Sequence, residues 1–180
     1  VYDWDGTTWT KRGLDIDGEA ADDWSGGSVS ISTDGNTVAI GAELNNGNGS
    51  DSGHVRVYDW DGASWTKRGL DINGEAGDDF SGTSVSISSD GNTVAIGAPE
   101  NNNVNGSDSG HVRVYDWNGA SWTKRGLDID GEAANDLSGS CVSISADGNT
   151  VAIGAPGNDN NGTESGHVRV YDWSGTLWTK

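Results

Sequence analysis

The chain has 180 residues, 32% of them hydrophobic, and its 29 glycines stand against only 2 prolines, which fits one domain of short elements joined by tight turns and argues against a helical protein. Its 28 acidic residues outnumber 10 basic ones for a net charge of −18, which argues against nucleic acid or an anionic membrane surface as partner, since neutralising phosphates needs clustered Lys and Arg. No run of about 20 apolar residues offers membrane insertion, and the single Cys141 leaves no intrachain disulfide.

The tetrapeptide Val-Tyr-Asp-Trp begins at Val1, Val57, Val114 and Val170, a period of 56 or 57 residues. The expected organisation is one repeat domain, 1–180, with units at 1–56, 57–113 and 114–169 and a partial unit at 170–180. A unit that cannot bury its own apolar face is stable only when stacked on copies of itself. The chain lacks Met and opens inside a repeat, so it is expected to be an excised or mature segment.

In the second copy, residues 84–88 (Ser-Val-Ser-Ile-Ser) alternate small polar with β-branched side chains, the pattern of a strand with one buried face. After the turn dipeptide Asp90-Gly91, residues 93–98 predict a second strand whose small side chains permit close packing. A polar loop over 99–110 leads to a third strand, 111–117, with Val112 and Val114 on one face and His111, Arg113, Tyr115 and Trp117 on the other. The turn 118–121 reverses the chain into a fourth strand, 122–129, and an acidic segment, 130–139, closes the unit with room for no more than a single helical turn. The fold class expected is therefore all-β. Four-stranded antiparallel blades repeat in a β-propeller-like array, three blades plus an extra hairpin of third and fourth strands; an open β-solenoid or linear array is the alternative. Three repeats do not close a ring, so further copies are expected, either by self-association or in a longer chain of the same repeats.

The order Ser-Val-Ser-Ile-Ser, Asp-Gly-Asn-Thr-Val-Ala-Ile-Gly-Ala-Pro, Ser-Gly-His-Val-Arg-Val-Tyr resembles FG-GAP-type repeats, the blades of integrin α-subunit propellers and related surface proteins. The match is strongest at 96–99 and 153–156, whereas the first copy has Glu43 in place of the proline. The resemblance implies an extracellular or cell-surface adhesion or scaffold propeller. It also implies a calcium loop between the first two strands of a blade, but the connection here, Thr33-Asp34-Gly35-Asn36, offers one carboxylate, too few for calcium.

A richer set of oxygens follows the fourth strand. Asp15, Asp17 and Glu19, then Asp71, Asn73 and Glu75, then Asp128, Asp130 and Glu132 are calcium candidates, set against the simpler reading of a solvated loop with local turns. Trp60 and Trp65, and Trp117 and Trp122, flank hairpin turns. They are read as packing residues or, if left exposed between blades, as platforms that stack on sugar rings. Asn48, Asn105 and Asn161 head acceptor sequons for N-glycosylation, meaningful only in a secretory protein. The Asp51-Ser52-Gly53-His54 run cannot form a catalytic relay, because neighbours on an extended segment cannot converge; its histidine is expected to cap the third strand by hydrogen bonds. The expected function is a non-enzymatic structural or adhesive protein that associates through blade edges, a filament or ring subunit. The alternative is a carbohydrate-binding propeller, with glycans or other surface proteins as partners.

Overall fold

The computed structural model describes residues 1–180, all in strands, turns and loops. An N-terminal hairpin of β1 (Tyr2–Trp4) and β2 (Trp9–Lys11) precedes three meandering sheets. Blade one contains β3 (Ser28–Ile31), β4 (Thr37–Ala42), β5 (His54–Trp60), β6 (Trp65–Lys67) and β7 (Ile72–Asn73). Blade two contains β8 (Ser84–Ile87), β9 (Thr93–Ala98), β10 (His111–Trp117), β11 (Trp122–Lys124) and β12 (Ile129–Asp130). Blade three contains β13 (Cys141–Ile144), β14 (Thr150–Ala155), β15 (His167–Trp173) and β16 (Trp178–Thr179). All pairings within the sheets are antiparallel, and each sheet is open at both edges, as expected of propeller-like blades.

Asx turns set the hairpins. Asp90 accepts from the Ser88 hydroxyl (2.6 Å) and the Asn92 amide (2.9 Å), and Gly91, at φ +71°, supplies the left-handed step that other residues resist. At the outer hairpin, Asp61 accepts from the amides of Ala63 and Ser64, both at 2.8 Å.

The fourth strand departs from the continuous 122–129 expected. It is split: Tyr115 pairs with Lys124 and Val112 with Ile129, so three steps along β10 face five on its partner. The intervening bulge contains Gly126, at φ +76°, where a Cβ would lie 2.7 Å from the ring of Trp173 in the next blade. No helical turn forms in the acidic segments.

Successive blades meet at their first strands. The Ser28 and Ser30 hydroxyls of β3 accept from the Val85 and Ile87 amides of β8 (2.9 and 3.1 Å), and Ser86 accepts from Ile144 of β13 (3.0 Å). The first strands approach closely while the fourth strands have no comparable approach, which spreads the blades like a fan. Small side chains make this spacing possible: a Cβ on Gly41 would sit 2.1 Å from the Gly82 carbonyl oxygen, and one on Gly97 would sit 2.0 Å from that of Gly139. The core consequently lies between sheets. One cluster joins Ala39, Val55 and Val57 of blade one to Val85, Ile87 and Ile96 of blade two; the other joins Val112 and Val114 to Val142, Val151 and Ile153. Each valine or isoleucine among them, fully buried, contributes about 1.5–3 kcal/mol. The third strands of blades one and two are buried on both faces over their first half, His111 and Arg113 included, because Val112 and Val114 meet the next blade while Arg113 donates to Asn73 in the preceding connection; these two strands are not amphipathic.

Candidate functional site

The residues singled out in the sequence converge on the joints between blades. At the outer rim, register places Trp60 opposite Trp65 and Trp117 opposite Trp122, with ring centroids 5.3 and 5.4 Å apart. All four rings are half-buried. Trp65 donates its indole N–H to the Arg12 carbonyl (3.0 Å) and Trp122 to that of Arg68 (2.9 Å), each in the preceding hairpin. The Arg68 guanidinium lies 5.0 Å from the Trp117 ring centre and 5.6 Å from that of Trp122, and donates to the Gly91 carbonyl of the next blade. The tryptophans thus fasten one blade to the next. They also border an open groove of about 540 Å³ lined by Leu70, Asp71, Tyr115 and Trp122, with a counterpart of about 540 Å³ at Leu14, Asp15, Tyr58 and Trp65.

The nine calcium candidates are divided among different partners. Asp15, Asp71 and Asp128 pair with Lys11, Lys67 and Lys124 at 2.6, 3.0 and 2.9 Å. Asp17, Asn73 and Asp130 use backbone carbonyls to accept from Arg56, Arg113 and Arg169, each at 2.8 Å. Glu19, Glu75 and Glu132 lie 3.5, 3.4 and 3.4 Å from the same three guanidinium groups. Carboxylates from one segment do not cluster in threes. Instead a glutamate from one segment meets an aspartate from the next, with a histidine between: Glu19, His54 and Asp71 form one group, and Glu75, His111 and Asp128 the other.

The histidine rings do not cap the third strand as expected. Burial encloses His54 and His111, and the Nε2 atoms of His54, His111 and His167 have no hydrogen-bond partner. Burial, helped by Arg113, pushes the His111 pKa down to about 4, and burial lowers that of His54, so both imidazoles are neutral at pH 7. Among the carboxyls, the Lys11 hydrogen bond holds Asp15 below its usual range. Burial, followed by Asp128 and Glu75, raises Asp130. Burial would also raise Glu132, but Lys180 and Arg169 outweigh it and hold that group low.

The sequon asparagines are structural at two positions. Asn48 donates its side-chain amide to the carbonyls of Gly74 and Glu75 (both 2.9 Å), and Asn105 donates to Gly131 (2.7 Å), so each ties a loop to the segment entering the next blade. Asn161 is exposed and its side-chain amide makes no such bond. The arginines carry no motif in the sequence, although two in every unit, such as Arg68 and Arg113, recur at fixed places.

The family model described as FG-GAP repeat matches residues 15–58, 70–115 and 128–171. Each match ends on the tyrosine of a third strand, Tyr58, Tyr115 or Tyr171. No curated protein matches the chain.

Proposed function

The chain belongs to the FG-GAP repeat family, and from that premise we propose that it is a non-enzymatic, extracellular structural or adhesive repeat protein whose blades associate with further copies of the same repeat. The copies belong to other chains in a filament or ring, or to a longer run of the same units. The observation that carries this reading is the likeness of the open end faces to the two halves of an interior joint. Val168 and Val170 on blade three occupy the positions of Val112 and Val114, and Val29 and Ile31 on blade one those of Val85 and Ile87, yet all four are exposed. Such a contact is head-to-tail and propagates unless it closes into a ring. Sedimentation velocity tests it: multiples of the 18.7 kDa chain should build up with concentration and vanish in Val170→Asp, whereas a monomer at every concentration removes association between chains.

Support for an extracellular location comes from the family and from Asn161, whose free amide is the acceptor best placed to carry an N-glycan. Loss of mass on enzymatic deglycosylation of the native protein, abolished by Asn161→Gln, is the expected outcome. A second reading, a weak carbohydrate-binding array, draws on the repeated Trp-Tyr-Leu grooves. A glycan panel decides it, and binding that survives both Trp65→Ala and Trp122→Ala speaks against the grooves.

A further inference from the structure

We propose that a divalent transition-metal ion of the zinc type binds where a connecting segment meets the blade it enters, held by Glu19, His54 and Asp71 at blade one and by Glu75, His111 and Asp128 at blade two. In both groups one ligand-type atom from each residue lies within 4.8 Å of the other two. Three separate elements supply them. Glu75 lies in the connection between β7 and β8, His111 opens β10, and Asp128 sits in the bulge between β11 and β12. A metal here would pin the connecting segment to the blade it enters.

The histidine is what distinguishes this from an ordinary acidic surface. His111 is 2% exposed, as is His54, and in each the buried Nε2 is left without a partner. The nitrogen turned toward Glu132 in the third copy is Nδ1, so a metal bound to that atom would give each imidazole a partner there and leave the buried Nε2 unbonded. Imidazole nitrogen with two carboxylates is a donor set suited to zinc and its first-row neighbours, whereas calcium requires six to eight oxygens. Three protein ligands leave a fourth tetrahedral position for water.

The charges around the site are consistent with exchange. Asp128 is held by Lys124 through both oxygens, at 2.9 and 3.1 Å, and this lysine is partly exposed and free to swing into solvent. Arg113 sits 3.4 Å from Oε1 of Glu75, which leaves the other oxygen open for a ligand bond. Lysine is the competitor that metal displaces. The third unit repeats only two of the ligands, with His167 Nδ1 4.0 Å from Glu132, so the expected stoichiometry is two ions per chain.

The test is calorimetric titration of ZnCl₂ into EDTA-stripped protein in a Cys141→Ser background, which removes the exposed thiol as a rival ligand. Two equivalents should bind and raise the melting temperature; Asp128→Asn and His111→Gln should each lose one equivalent, and adding His54→Gln should lose both. Lys124→Ala and Lys67→Ala, at accessible positions, should tighten binding by roughly two- to five-fold as the competing ion pair is removed. Calcium in excess should not compete. Absence of zinc binding overturns the proposal, as does binding unchanged by Asp128→Asn and the lysine variants, or binding displaced by calcium.

Discussion

The interior joints and the two open ends are built from the same residues and differ in everything that depends on neighbours. Val112 is 0% exposed and its counterpart Val168 is 69% exposed; Val85 is 7% exposed and its counterpart Val29 is 62% exposed. Pairing with the second strand is alike in the two settings, since His111 to Asp116 pair with β9 in the register by which His167 to Asp172 pair with β14, while the pair of Val112 with Ile129 has no counterpart on β15. The contrast teaches that sheet formation is local to a blade, whereas burial, and with it most of the stabilisation, belongs to the contact between blades. That is the energetic pattern of a repeat array, in which each unit gains stability from the next.

The largest effect expected from breaking this contrast is at apolar positions. Ile87→Ala, in the first joint, should cost about 2–5 kcal/mol in chemical denaturation, and Ile31→Ala, at the open face, less than about 1 kcal/mol. Next is the glycine that lets blades approach. Gly97→Ala drives a Cβ toward the Gly139 carbonyl and should cost about 1–3 kcal/mol. Gly154→Ala, whose nearest neighbours are 3.6 Å away, should be close to neutral in the same assay. Smaller again is the indole clasp. Trp122→Phe loses the bond to the Arg68 carbonyl and should lower stability by about 0.5–1.5 kcal/mol, while Trp9→Phe, exposed and without such a bond, should leave it unchanged.

The smallest effect should ignore the contrast altogether. Asp34 and Asp147 are held below their ordinary pKa of 3.8 first by the hydroxyls of Ser32 and Ser145; at Asp90 burial pulls upward, but Ser88 and Asn92 outweigh it. A carboxyl with a depressed folded pKa stabilises above its unfolded value, and that contribution fades as pH falls through the folded one. Stability should therefore fall below about pH 4, with a shallower slope in Asp34→Asn, Asp90→Asn and Asp147→Asn alike. A slope changed at only one blade would show that the turns also depend on joints.

What could be read from sequence follows the same division. The second and third strands fall where alternation and turn residues place them, β9 at Thr93–Ala98 and β10 at His111–Trp117, because these signals act over a few residues. The bulge in the fourth strand escaped, since Gly126 yields to a tryptophan from another unit. Alternation puts His111 on the polar side of a half-buried strand, and the connecting segment around Asn73 and Glu75, remote in sequence, covers that face. The acidic candidates were grouped by nearness in sequence, whereas the structure joins Glu75 to Asp128 through a histidine that lies between them in the chain. Long-range partners of this kind leave no periodic mark.

Native-state amide hydrogen exchange on dilute protein measures the division directly. Amides of β10 and β15 that share the same ladder bonds to the second strand should differ, with Arg113 and Tyr115 exchanging only on global unfolding and Arg169 and Tyr171 exchanging orders of magnitude faster through local opening of blade three. Equal protection in the two strands would contradict the conclusion that stability resides between blades, and would place it within each sheet.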